Sequence, residues 1–149
     1  MEIQRCQDLS IYYWLKDLFQ DSSFITVVDG FPQENLVVPS VAVEADTLET
    51  RAFELGNRYG IEPRVWFIDV FGKNKAQRDD MGYKIKNALV NNIPVYDYNE
   101  GQPPTVNPTQ VGVLIIEEPR MKIVRVVPTL ANGLYWRATI DFVAKYSQI

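Results

Sequence analysis

Three aspartates and two lysines are the residues here whose type and spacing could do chemistry. Asp79 and Asp80 are adjacent, at the start of what reads as a helix. A divalent cation is the chemistry such a pair suggests, but neighbouring helical residues point about 100° apart, which opposes joint ligation. The helix dipole, which favours carboxylates at that end, accounts for them more simply. Asp69 interrupts an otherwise apolar run, RVWFIDVF. A carboxylate in that setting needs a partner or stays protonated, and Arg78, Arg125 and Arg137 are candidates. Lys73 and Lys75 flank the same helix start, where free N–H groups attract anions. No GxxxxGK or GxGxxG loop accompanies them. Tyr96, Tyr98, Tyr135 and Trp136 could stack bases, yet no basic groove goes with them, so packing or protein contact is the better expectation.

Histidine is absent from the chain. That excludes a Ser-His-Asp or Cys-His site and HExxH zinc chemistry within it. The net charge of −4 makes it a poor candidate for gripping nucleic acid, because phosphate neutralisation supplies most of that affinity. With Cys6 alone, no internal disulfide can form, which fits a reducing compartment. No apolar run approaches a membrane span, and MEIQRCQDLS lacks the form of a signal peptide. The expectation is one domain over 1–149, without cofactor or metal, not an enzyme and not a membrane protein.

The elements that must position these residues are legible from periodicity. Residues 2–20 read as a helix with Ile11, Trp14, Leu15 and Leu18 on one stripe. Phe24–Val28 reads as a short strand, and Asp29–Pro39 as a loop. Val41, Val43 and Ala45 alternate with Ala42 and Glu44, and Thr50–Asn57 continues the extended chain. Arg64–Phe71 is apolar enough to expect cover on both faces. Asn74, with Gln77 three residues on, caps a second helix carrying Met81, Ile85, Ala88 and Leu89. Asn91-Asn92 and Pro94 stop that helix, and Val95–Tyr98 is extended. Asn99–Pro108, NEGQPPTVNP, reads as an exposed loop, mobile or ordered by a partner. Val111–Glu117 and Met121–Val127 read as two strands joined by a turn at Pro119-Arg120. In the closing strand Tyr135–Tyr146, Ala138, Ile140, Phe142, Ala144 and Tyr146 share one face. Glu44, Glu54 and Asp141 fall on polar strand faces. The links between the strands up to Phe71 look too short for crossovers, so those strands are expected to form an antiparallel meander. The fold class is α+β: a mainly antiparallel twisted sheet with two helices packed against it.

The order of elements, together with MEIQRCQDLSIYYWLKDLF, RVWFIDVFGKNKAQRDDMGYKIKNALV followed by IPVYDYN, and LYWRATIDFVAKY, resembles the phage tail terminator proteins. These are also described as tail-completion or neck proteins and include the lambda-like protein U. The resemblance spans nearly the whole chain, in patterns of packing rather than an active-site signature. It implies a structural virion protein, assembled in the host cytoplasm. Such a protein forms a homo-oligomeric ring, usually a hexamer, on the last ring of the tail tube. The ring ends tube polymerisation and joins the tail to the head connector. The partners implied are further copies of the chain, the tail tube protein and the connector or adaptor protein, with the tail sheath as a further candidate. DNA would pass the lumen without specific binding, which an acidic lumen favours.

Function on this reading lies in surfaces. The aromatics Tyr12 and Tyr13 on the first helix, Phe31, Gln33, Glu34 and Asn35 in the first loop, Asn99, Glu100, Gln102, Pro103 and Pro104 in the second, and Arg120 at the turn are the expected contacts, since long loops on a packed sheet carry contacts. Another neck component, such as a head-completion or connector adaptor protein, is the alternative. A small enzyme built on Asp69, Asp79 and Asp80, and an interaction module of a cellular protein, are the readings from other classes.

Overall fold

A computed structural model describes residues 1–31, 37–48, 51–52, 60–61, 63–125 and 136–149. Gln33, Glu34, Asn35, Glu54 and Tyr135, singled out from the sequence, lie outside the described residues, as does the Arg125 side chain. The elements are α1 (Ile3–Leu18), β1 (Thr26–Asp29), β2 (Ser40–Leu48), β3 (Arg51–Ala52), β4 (Gly60–Ile61), β5 (Arg64–Gly72), α2 (Lys75–Ala88), β6 (Ile93–Tyr96), β7 (Gln110–Arg125) and β8 (Trp136–Gln148). Six strands form one sheet in the order β1-β2-β5-β8-β7-β6, and β3 pairs with β4 separately. The fold is α+β, with every pairing in the large sheet antiparallel except β1 with β2.

Both helices pack on one face of this sheet. On β5, Trp66, Ile68 and Val70 point to the helices and are fully buried; on β8, Ala138, Ile140, Phe142 and Ala144 do the same. α1 answers with Leu9, Ile11 and Leu15, and α2 with Met81, Ile85 and Leu89. Burying each large side chain of this kind stabilises the fold by about 1.5–3 kcal/mol. α1 touches β6 at one sheet edge and β1 and β2 at the other, so the sheet curls around it. α2 lies over β5, β7 and β8.

The start of α2 follows its sequence signals. The Asn74 side chain accepts from the Gln77 N–H at 2.9 Å. The Gln77 side chain accepts in return from the Lys73 N–H at 2.7 Å, one residue outside the usual reciprocal cap. Gly72, just before, is required by close approach: a Cβ there would sit 2.6 Å from the backbone nitrogen of Arg78.

Four expectations change. β1 runs Thr26–Asp29, leaving Phe24 outside, and it pairs parallel to β2. The ten residues between them carry the chain back to the same end, which a meander does not allow for. β6, β7 and β8 do form an antiparallel meander, but the connection through α2 carries β6 to the far edge, so that β8 rather than β6 lies beside β5. Pro119-Arg120 is no turn: β7 is continuous through it. Three residues of β7, from Glu118 to Arg120, advance the register only two places on β8, a bulge at which Glu118 takes φ 51°. Bulges are where a strand tolerates proline. Last, β5 is not covered alike on both faces. Val65, Phe67 and Asp69 are only half-buried.

Candidate functional site

The sheet face opposite the helices is where the half-buried residues gather. Its cross-strand rows follow from register. One row runs Glu44 on β2, Phe67 on β5, Asp141 on β8 and Arg120 on β7. The next runs Ala42, Asp69, Thr139 and Lys122. Val65 pairs with Val143, and Ile115, 40% exposed, pairs with Lys145. The face is therefore mixed: Val65, Phe67 and Val143 stand beside Asp69, Thr139 and Asp141 in its middle, with Glu44 at the β2 side and Arg120 and Lys122 beside Glu117 at the β7 side. Glu44 and Lys122 mark the two sides and are exposed.

Ion pairs lace this surface. Arg120 Nε lies 3.0 Å from Asp141 Oδ1, and Lys145 Nζ 3.3 Å from Glu117 Oε1. The Asp141 carboxylate holds the Arg120 guanidinium above its usual range. Pairs this exposed contribute little stability and stay available to re-pair with another chain.

Of the sequence candidates for Asp69, Arg137 is the partner. Asp69 Oδ1 accepts from Arg137 and from the Thr139 hydroxyl, the latter at 2.6 Å. A shallow hollow of about 580 Å³ opens beside it, lined by Phe31, Glu44, Phe67, Asp69, Arg137 and Thr139 among others. Its carboxylate is already engaged by a guanidinium and a hydroxyl, which suits a structural acid better than a proton-transfer group. Asp79 pairs with Arg78 at 2.9 Å and with Lys75 at 3.7 Å. The structure does not bring Asp69 together with the other two: Asp69 lies on the open sheet face, while Asp79 and Asp80 ride on α2, packed against the opposite face. No grouping of three or more His, Cys, Asp or Glu that could hold a metal ion occurs among the described residues.

The expected contact residues divide. Phe31 is 42% exposed and packs edge-on against Phe71, its ring 5.7 Å away, at the rim of the open face. Tyr13 stacks on Tyr98 at 5.3 Å and donates to Gln102 at 2.8 Å. Tyr12 meets Tyr13 edge-on, and Lys16 lies over both rings. The loop of Asn99–Pro108 is held by its own chain, not left for a partner to order. Glu100 accepts from the N–H and hydroxyl of Thr109, and Asn99 donates to Asp97 and to the Met1 carbonyl. Gln102 and Pro104 remain exposed on it, and Pro103 is half-buried.

What sequence reasoning missed is the face itself. Val65 and Phe67 read as covered because β5 looked apolar throughout; only the alternation of Glu44, Asp69 and Asp141 with buried neighbours marked an uncovered side. The two sheet edges also differ. On β6, Pro94 has no N–H and the Tyr96 N–H donates to the Ser10 hydroxyl of α1 at 3.2 Å. That edge is sealed. On β1, the N–H groups of Thr26 and Gly30 donate to Pro39 and Val43. Thr26, Val28 and Gly30 therefore face β2, while Val27 and Asp29 turn their N–H and C=O groups outward. No described group bonds those outward atoms.

No protein-family model matches the chain, and no curated protein matches it.

Proposed function

We propose that this chain is a structural protein of a phage virion, a tail terminator. It closes with copies of itself into a ring, hexameric by the resemblance, that caps the tail tube, ends its polymerisation and joins the tail to the head connector. One observation supports the reading beyond the resemblance: a sheet face, uncovered by either helix, on which Val65, Phe67, Val143 and Ile115 are half-buried or exposed, with Glu44 exposed at one side and Lys122 at the other. A monomer rarely leaves such a face bare without a partner for it. The separation of Glu44 from Lys122 suits head-to-tail contact, in which the Glu44 side of one subunit meets the Lys122 side of the next.

Light scattering after size-exclusion chromatography, with and without a phage tail tube protein, tests the proposal. The expected result is a closed ring, alone or on tube ends seen by electron microscopy. A chain that ignores tubes and stays monomeric in their presence overturns it. Attachment to connectors but not to tubes transfers the role to another neck component.

A further inference from the structure

We propose that β1 is a second self-association site, at which the strand pairs antiparallel with β1 of another copy across a two-fold axis at Val28. This contact is separate from the ring reading, since a two-fold pairing forms whether or not a ring closes.

The argument starts from the unequal sheet edges. An edge strand with free backbone groups is a template for another strand. Here Pro94 and the Ser10–Tyr96 hydrogen bond withdraw β6 from that use. Growth of the sheet from β1 of one copy to β6 of the next is therefore blocked, and β1 is the open edge of the six-stranded sheet among the described residues. Its outward groups complement themselves. In an antiparallel register centred on Val28, Val27 lies opposite Asp29 of the second copy. Each such pair exchanges two N–H···O=C bonds, so the two pairs supply four.

The side chains permit this register. Val28 meets Val28 across the axis, on the sheet face without helices. Thr26 meets Gly30. The two Asp29 carboxylates come to diagonal positions, where like charges repel, but each is already held by Arg5 of its own α1. A neutralised Asp29 lets the edge pair where a bare one would guard it. Phe24, 63% exposed, and Val37, also 63%, add apolar surface at the entries of β1 and β2.

Sedimentation of the full chain over a range of concentrations, without tube protein, tests the pairing. The expected result is a reversible dimer that Val27→Pro weakens at least about tenfold, because proline removes an edge donor and its ring blocks approach. Thr26 is already extended, so proline can follow it without breaking β1. Val28→Cys gives a reading that does not depend on that variant. Facing non-hydrogen-bonded residues have Cα atoms about 4.5 Å apart, within disulfide range, so mild oxidation should link Cys at 28 to Cys at 28. Thr26→Cys should not link to itself. Phe67→Arg, on the open face, should weaken ring formation and leave this dimer intact. A monomer at every concentration, a dimer untouched by Val27→Pro, or no 28–28 link each overturns the proposal.

Discussion

Arg137 on β8 reaches the Asp69 carboxylate on β5 with two nitrogens, 3.0 and 3.3 Å from the same Oδ1, on the sheet face opposite α1 and α2. The pair is partly shielded, with side chains 13% and 30% exposed. Arg137 also lies 5.5 Å from the Phe71 ring and 5.7 Å from the Phe31 ring. One guanidinium thus ties two strands and the chain after β1 together. Asp69→Ala should cost about 1–3 kcal/mol in urea unfolding, since it strands both Arg137 and the Thr139 hydroxyl. A double-mutant cycle with Arg137→Ala should return a coupling of about 1 kcal/mol. Additive losses would show that the contact contributes nothing of its own.

The seal on β6 makes a second prediction. Ser10→Ala removes the acceptor of the Tyr96 N–H and should cost about 1 kcal/mol. The Tyr96 amide should then exchange with solvent faster than its neighbours on β7. Unchanged exchange would mean that Ser10 is not what closes this edge.

Glycines at two places should answer alanine differently. At Gly72 the obstacle is the backbone of Arg78, which cannot move without unwinding the first turn of α2. Gly72→Ala should cost about 1–3 kcal/mol. At Gly82 a Cβ would meet the Met121 Cε at 2.5 Å, the loose end of a flexible side chain. Gly82→Ala should be near neutral, the strain offset by about 1 kcal/mol of helix propensity. Thermal melts of the two variants decide the matter, and equal losses would refute the distinction.

Tyr98 gives a pH dependence. Burial pushes its phenol up to about 12, against a smaller opposing pull from the Ser10 hydroxyl. The folded state therefore prefers the neutral phenol more strongly than the unfolded chain does. Its contribution is whole below about pH 10 and lost as pH rises towards 12. Melting temperature should fall over that window more steeply than in Tyr98→Phe. Parallel curves for the two proteins would refute the assignment.

Much of this fold was legible because local signals and burial agreed. Asn74 and Gln77 announced the start of α2, and the buried set on β8 followed its alternation residue by residue. The failures came where long-range pairing decides. Nothing in Thr26–Asp29 says that its neighbour runs parallel, since strand direction depends on where the intervening chain travels. Pro119 looked like a turn because proline interrupts pairing, and a bulge satisfies that constraint equally well. For the site, the types of Asp69 and Arg137 suggested an ion pair, but choosing among three arginines required the register of β5 against β8. The bare sheet face was harder still, because half-buried valine and phenylalanine carry the same letters as core.

The extra residue in β7 sets the phase of everything after it. Upstream, Leu114 and Ile116 turn to the helices by even count; downstream, Met121 and Ile123 do so by odd count. Removing Glu118 alone would leave a regular pleat in which Met121 still lies opposite Ile140 and beneath the helices, because the bulge already absorbs the extra residue. A homologue that lacks one amino acid at this point should therefore need no second indel, whereas one gained or lost elsewhere on β7 should be offset nearby on the same strand, a signature that genome comparison can find without any purified protein.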